Sequence, residues 1–233
     1  MAFKPIKKFL QYHFNAHNEN SMAHKFRMKR MIFFERCFIN AFNEKITKHV
    51  PVTVLDVGGT WNFWEAMHFN ALNLCDITLL NLNEIKIPER FTNIKSVVGD
   101  ATDLSQYADN AFDLVFSNSV IEHVGKEPAQ KKMADEVLRV GKHLYLQTPN
   151  KNFPIEPHFI FPLFQFLPLR VRAFLVSHFA IGWYKKAVSR EEALRVADSV
   201  DLLTKRRLQK FFPSAKIQKE KFLGLTKSFY FFT

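Results

Sequence analysis

The chain has 233 residues, a formal net charge of +11 and an isoelectric point of about 9.6. This length suffices for one α/β domain with decorations, so no second independent domain is expected. A positive surface attracts nucleic acid, phospholipid head groups or acidic small molecules, and charge alone does not choose among these partners.

Cysteine content and hydropathy predict a cytoplasmic protein. Cys37 and Cys75 are too few for a disulfide framework and fit no metal-ligand spacing. The N-terminus carries lysines but no apolar segment typical of a secretory signal. The most apolar stretch, 157–169, contains three prolines and is shorter than the ~20 residues that cross a bilayer.

The N-terminal part is predicted to be a basic arm followed by an amphipathic cap helix. Residues 1–25 show no clear period, whereas residues 26–49 carry apolar side chains at helical spacing and end before Pro51. Residues 1–50 therefore precede the main domain, which is predicted to span residues 51–233.

Alternating strands and helices follow the cap helix. Strands are predicted at 52–57, 77–82, 94–98, 113–117 and 143–148, with helices near 62–72 and 128–140. This alternation implies a parallel, doubly wound sheet, because right-handed crossovers place helices on both faces. The segment 103–111 between two of these strands is poorly marked.

Prolines and aromatic residues break the alternation over residues 149–188. We expect an insertion of about 150–200 that covers the carboxyl edge of the sheet as a lid. Ser189 and Glu192 have the spacing of a capping box, which predicts a helix after Ser189.

The last segment is predicted to form a helix and two strands. Thr204 is the expected cap of the helix. The strands, 215–222 and 227–232, are joined through Gly224, and so short a connection requires antiparallel neighbours.

The first strand ends in a turn that is suited to a ligand. Residues 55–60 read Leu-Asp-Val-Gly-Gly-Thr. Ligands of parallel sheets bind at the carboxyl ends of the strands, where glycine lets the backbone approach closely. The site is therefore expected around Asp56, with Gly58 as the residue that most needs to lack a side chain.

Four motifs in order resemble those of class I S-adenosylmethionine-dependent methyltransferases of the ubiquinone-biosynthesis type. They lie at 55–60, 77–83, 98–101 and 112–124. The resemblance implies a Rossmann-like α/β fold with a seven-stranded doubly wound sheet, mostly parallel with an antiparallel last strand. It also implies S-adenosyl-L-methionine as the cofactor.

The resemblance assigns the cofactor-binding residues to the turn and to three strand ends. They are Asp56, Gly58, Gly59, Thr60, Asn81, Leu82, Asp100, Ala101, Ser117 and Asn118. In this assignment Asp56 and the turn backbone bind the methionyl part of the cofactor, Asn81 binds the ribose, and Asp100 binds the adenine.

Two features depart from the family pattern. Thr60 and Asn62 stand where glycines are usual, and threonine adopts a left-handed backbone poorly. Asn81 replaces the ribose-binding acid, so its amide oxygen accepts without charge assistance. The shape of the turn and the affinity for the cofactor are therefore expected to differ from the family pattern.

Three side chains are the candidate catalytic groups. His123 follows the fourth strand and suits a base near neutrality; alternatively, it only shapes the pocket. Glu156 and His158, fixed between prolines, hold or deprotonate the acceptor, or they pin the lid. No metal site is predicted.

The aromatic side chains of the insertion have two interpretations. They line an apolar acceptor pocket, or they form a lid core packed on the first helix. The residues are Phe159, Phe161, Phe164, Phe166, Phe174, Phe179 and Trp183. Exposed members of this set can also touch a membrane, helped by a basic rim of Arg170, Arg172, Lys185 and Lys186.

The favoured function is methylation of a small-molecule or lipid-like acceptor, anionic or apolar, at an oxygen. A nucleic-acid methyltransferase is the second hypothesis, although residues 117–120 read Ser-Asn-Ser-Val and not the Asn/Asp-Pro-Pro-aromatic motif of base-modifying enzymes. A non-catalytic scaffold that kept the fold is the third. The oligomeric state stays open.

Overall fold

The structure is a computed structural model that describes Tyr12 and residues 18–233. Most of the predicted basic arm lies outside these residues. Helix α1 (Met22–Thr47) begins after Ser21, whose hydroxyl accepts a hydrogen bond of 2.9 Å from the His24 amide. The helix thus starts before the predicted position 26, because this cap satisfies a backbone donor of its first turn.

Nine strands and five further helices follow α1 among the described residues. The strands are β1 (Val52–Val57), β2 (Cys75–Asn81), β3 (Ile94–Val98), β4 (Phe112–Asn118), β5 (Gly141–Pro149), β6 (Ile155–Glu156), β7 (Phe161–Pro162), β8 (Gln218–Phe222) and β9 (Leu225–Phe232). The helices are α2 (Trp61–Ala66), α3 (Glu127–Val140), α4 (Leu169–His178), α5 (Arg190–Asp198) and α6 (Lys205–Phe211).

Seven of the strands form one sheet in the order β3-β2-β1-β4-β5-β9-β8. Strands β1 to β5 are parallel, and the last strand, β9, is antiparallel to its neighbours β5 and β8. The predicted Rossmann-like, doubly wound fold is confirmed. Because the strand order reverses between β1 and β4, the ligand crevice of such a sheet lies at their carboxyl ends.

Apolar side chains cover both faces of the sheet. Phe34 and Phe38 of α1 are buried with α2 on one face, and Met133 and Val137 of α3 are buried with α6 on the other. Burial on both faces explains why the strands read as continuous apolar runs.

The insertion has a hydrophobic core of its own. Phe159 and Phe164 are buried together with side chains of α4 and α5. These two rings are stacked, with centroids 4.0 Å apart. Phe159, Phe161 and Phe164 therefore pack within the insertion and not on the first helix. The other aromatic residues named for the lid, Phe166, Phe174, Phe179 and Trp183, are exposed.

Local signals explain most of the element boundaries. The hydroxyl of Ser189 accepts from the Glu192 amide, and that of Thr204 accepts from the Arg207 amide, as their cap positions predict. Helix α2 ends well before the predicted residue 72, since His68 adopts a left-handed backbone with φ of 48°. Within the described part of the chain, no helix combines the length and apolarity needed to cross a bilayer.

Candidate functional site

The turn after β1 requires glycine at two successive positions. Gly58 has a φ of +73°, and a Cβ there would lie 2.7 Å from Val120 Cγ2. At Gly59 a Cβ would lie 1.7 Å from Asp56 Oδ2. Gly58 was the expected position, and the contact with Asp56 makes Gly59 equally intolerant of a side chain.

Thr60 fits this turn because its backbone is not left-handed. It has φ of −136° and ψ of 149° and occupies the cap position before α2, which contains Asn62. The two departures from the glycine pattern therefore fall at the cap and in the first turn of α2. The residue of this turn that adopts the left-handed backbone is Gly58.

Asp56 is a buried carboxylate with one free oxygen. Its Oδ2 accepts a hydrogen bond of 2.8 Å from Trp64 Nε1, and its Oδ1 is buried without a partner. Burial raises the pKa of Asp56 to about 7, and the hydrogen bond from Trp64 opposes this shift. A buried oxygen of this kind fits a cationic or N–H donor.

Asn81 uses its amide to hold the glycine turn. Its Nδ2 donates a hydrogen bond of 2.9 Å to the carbonyl of Gly59. An aspartate has no donor for that carbonyl, so the asparagine here is a structural requirement of this turn. The amide oxygen stays available as an acceptor. Leu82, the next residue, is 71% exposed.

The other cofactor candidates lie at the ends of β3 and β4. Asp100 Oδ1 accepts from the backbone amide and the hydroxyl of Thr102, so this carboxylate shapes its own loop. Ala101 is buried, as is Ser117, whose hydroxyl has no hydrogen-bond partner. Asn118, half-buried, ends β4.

Backbone hydrogen bonds join these strand ends into one edge. The amide of Gly58 donates to the Leu80 carbonyl at 2.8 Å, and the amide of Gly99 donates to the Asn81 carbonyl at 2.9 Å. The turn after β1 is thereby fixed to β2, and the loop after β3 follows directly beside it.

The three candidate catalytic side chains lie in contact. His123 Nε2 and His158 Nε2 are 3.1 Å apart, and His158 Nδ1 lies 2.7 Å from Glu156 Oε1. The other oxygen of Glu156 accepts from the Phe159 amide at 2.6 Å. Side chains from the segment after β4 and from the lid hairpin β6–β7 therefore form one connected group.

Glu122 is a fourth member of this group, and the sequence analysis assigned it no role. It is completely buried, and its Oε2 accepts from Thr148 Oγ1 at 2.9 Å. Its Oε1 has no hydrogen-bond partner and lies 4.0 Å from His158 Nε2. The available signal was a charged residue next to the apolar Val120 and Ile121.

Burial and neighbouring charge separate the pKa values of this group. Burial, together with the charge of His158, lowers the pKa of His123 to about 4. Burial acts in the same sense on His158, but the hydrogen bond and charge of Glu156 outweigh it and raise the pKa of His158. Burial raises the pKa of Glu122.

Helix α1 places two arginines beside the end of β4. Arg27 and Arg30 line a small cavity with Asn118, and the Nε atoms of both arginines are buried without a partner. Arg30 is held by Glu220, to which its Nη1 donates at 2.9 Å. Burial, followed by the charge of Arg30, lowers the pKa of Arg27 to about 10. Arg27 is thus a cation that favours an anionic partner.

Comparison with protein families identifies the central part of the chain. Residues 55–144 match the family described as a methyltransferase domain. A segment of 57 residues is 37% identical to the uncharacterized protein Rv1509 of Mycobacterium tuberculosis, which is 24% of this chain and 20% of that protein. The chain thus matches only about a fifth of the length of this relative.

Solved structures with a similar fold include a SAM-dependent methyltransferase from Methanosarcina mazei, at 16% identity and a TM-score of 0.45. The match covers 80% of this chain and 94% of that one. Another is the N-methyltransferase NodS from Bradyrhizobium japonicum in complex with S-adenosyl-L-homocysteine, at 10% identity and a TM-score of 0.48. That match covers 89% of this chain and 86% of the other. At these values the similarity does not extend to an acceptor.

The family match covers all four sequence motifs and begins within β1, so it includes the glycine turn. The resemblance predicted from the motifs is confirmed. Residues 55–144, the part of the chain that this match covers, are thus similar to a methyltransferase domain.

Proposed function

We propose that the protein transfers a methyl group from S-adenosylmethionine to an oxygen of a small-molecule or lipid-like acceptor. The observation that carries the proposal is the neighbourhood of two groups at one edge of the sheet. Val120 packs on Gly58 of the glycine turn, and Glu122 and His123 follow it in the chain.

The residues of the glycine turn suit the cofactor. The free Oδ1 of Asp56 would accept from the methionyl ammonium, Gly58 and Gly59 leave the backbone accessible, and the Asn81 amide oxygen would accept from the ribose. The cofactor, when bound, would supply an electrophilic methyl group on a sulfonium. Leu82, Asp100, Ala101, Ser117 and Asn118 complete the proposed cofactor set.

Three side chains are proposed to position the acceptor. His123, His158 and Glu156 form one connected group, and Glu156 is fixed from both of its oxygens. Methyl transfer is an in-line displacement that depends above all on proximity and alignment. A rigid group beside the glycine turn meets that requirement.

Arg27 supports an acceptor with an anionic group. The Nε atoms of both arginines are buried without a partner, but Arg30 is also paired with Glu220, whereas Arg27 has no carboxylate partner in the described part of the chain. The half-buried guanidinium of Arg27 gains most from a carboxylate or phosphate, because charge-assisted hydrogen bonds are the stronger kind. An anionic head group next to Asn118 would fit this charge.

The lid carries a surface that suits a lipid-like acceptor. Phe174 and Phe179 are 56% and 58% exposed, and Arg170 and Lys186 lie beside Phe174. We name these four residues the lid patch. Exposed aromatic rings with a basic rim bind anionic membrane surfaces.

The proposed compartment is the cytoplasm, where the thiols of Cys37 and Cys75 stay free.

The first test is binding followed by transfer. Isothermal titration should give saturable binding of S-adenosylmethionine and S-adenosylhomocysteine. With a cofactor that carries a radiolabelled methyl group, the label should then appear in hydroxylated carboxylic acids or phosphate compounds.

Arg27→Gln should raise KM for such an acceptor by about tenfold or more, since a hydrogen bond to a charged group is worth ~1.5–3 kcal/mol.

Lys29→Gln is the matched control for this test, because Lys29 is exposed on the same helix. It should leave KM unchanged. Transfer to RNA alone would favour the nucleic-acid hypothesis. A folded protein that binds neither form of the cofactor would favour a scaffold.

Asp56→Asn should separate stability from cofactor binding. The carboxylate ionises near 3.8 in the unfolded chain and near 7 in the folded one. Between these values the folded state holds the additional proton, so the free energy of unfolding falls as the pH rises. The variant should lose this pH dependence, melt at a higher temperature at pH 7, and bind S-adenosylhomocysteine more weakly. Unchanged binding would remove Asp56 from the cofactor site.

Asn81→Asp should weaken the cofactor site although it restores the acid of the family pattern. A carboxylate cannot donate to the Gly59 carbonyl and would repel it, which costs ~1–3 kcal/mol. We expect about tenfold weaker binding of S-adenosylhomocysteine by calorimetry. Asn81→Ala, which loses the donor without adding charge, should lie between the two. Tighter binding by Asn81→Asp would contradict this account of the turn.

The lid patch predicts binding to anionic vesicles. The protein should sediment with phosphatidylserine vesicles and remain free with phosphatidylcholine. The double variant Phe174→Ser, Phe179→Ser should lower vesicle affinity about tenfold, because two half-buried aromatic rings contribute ~1.5 kcal/mol or more. Leu225→Ser, at a residue 52% exposed outside the lid, is the control. Equal sedimentation of both variants would refute a specific role of the patch.

A further inference from the structure

Two imidazole rings face each other through the same kind of nitrogen. His123 Nε2 and His158 Nε2 are 3.1 Å apart, with the rings nearly perpendicular at 89°. The other nitrogen of His158, Nδ1, is engaged by Glu156 at 2.7 Å. A neutral imidazole that donates through Nδ1 presents a lone pair at Nε2.

A carboxylate oxygen without a partner points to the same place. Glu122 is held by Thr148 through Oε2, which leaves Oε1 free and 4.0 Å from His158 Nε2. The residue is completely buried. Three electron-pair donors therefore converge when both imidazoles carry their proton on Nδ1. The unpartnered oxygen of Glu122 is costly to bury unless a cation or donor satisfies it.

Charge balance favours a divalent cation at this point. The buried carboxylates of Glu122 and Glu156 together carry two negative charges when ionised. The charges that act on Glu122 are those of His158 and Glu156. A divalent cation between the three ligands would balance the charges of both carboxylates.

We infer that Glu122, His123 and His158 form a binding site for a divalent transition-metal cation, with Zn²⁺ as the best match. Two imidazoles and one carboxylate are a ligand set that zinc uses where a fourth position stays open. The three ligand atoms lie within 4.8 Å of one another. With metal–ligand bonds of ~2.0–2.1 Å, the two nitrogens already have a suitable separation, and the carboxylate has to approach by about 1 Å.

The surroundings of the three ligands support a metal site. A histidine that binds a metal usually donates its other N–H to a carboxylate or a backbone carbonyl, which fixes the ring. Glu156 is placed for this role at His158, and Thr148 fixes Glu122. This arrangement gives Glu156 a positioning role behind His158. The absence of a metal motif in the sequence is explained by the ligands coming from two separate segments.

The consequence for the reaction rests on the proposed function. A three-ligand site leaves a coordination position for an oxygen of the acceptor, close to the glycine turn that Val120 contacts. The ion would then orient that oxygen and select acceptors with a hydroxyl group. Metal binding itself does not depend on the proposed acceptor.

The test is direct metal binding by the full chain after treatment with a chelator. Zn²⁺ titration by calorimetry should give one equivalent bound, and Co²⁺ should give a visible absorption spectrum of four or five coordination. Glu122→Gln and His158→Gln should each weaken Zn²⁺ binding by at least about tenfold and change the Co²⁺ spectrum. His178→Gln, at an exposed histidine of α4, should leave both unchanged.

Folding and cofactor binding are checked independently. Thermal melting and the affinity for S-adenosylhomocysteine should be preserved in Glu122→Gln, so that a loss of Zn²⁺ binding reports the metal site alone. Stoichiometric Zn²⁺ binding that is equal in Glu122→Gln, His158→Gln and the wild type would overturn the inference. So would the absence of Zn²⁺ and Co²⁺ binding by a folded protein that binds S-adenosylhomocysteine, which would assign a shared proton to the two imidazoles.

Discussion

The position of the Asp56 carboxylate, in the space that a side chain at Gly59 would need, is the constraint on which the site depends. It leaves no room for a side chain at Gly59. The carbonyl of the same glycine is held by Asn81, and Val120 closes over Gly58. The turn is therefore fixed by residues from β1, β2 and the segment after β4. A binding turn held from three directions needs little rearrangement when a ligand arrives.

Much of the fold was predictable because its signals are local. Continuous apolar runs gave the five parallel strands, and the hydroxyls of Ser189 and Thr204 gave two helix starts, since a cap bonds only to its own first turn. The early end of α2 was not predicted. It depends on a left-handed backbone at His68, a conformation that histidine adopts only in certain contexts.

The composition of the site was less predictable because it depends on contacts between distant segments. The sequence suggested His123 and His158 separately, and only the fold shows that their nitrogens face each other. Glu122 was missed since a buried carboxylate has no periodic signature. Asn81 looked like a weakened ribose ligand, and its bond to Gly59 gives it a structural role that spacing could not reveal.

The pair formed by Arg30 and Glu220 joins the first described helix to the last hairpin across 190 positions of sequence. During synthesis α1 leaves the ribosome well before its partner strand does, because 190 positions separate the two residues. The apolar face of α1, with Phe34 and Phe38, therefore lacks part of its final packing until that strand has been made. Contacts of such long range slow folding and prolong the exposure of apolar surface, so the nascent protein is a natural client for chaperones.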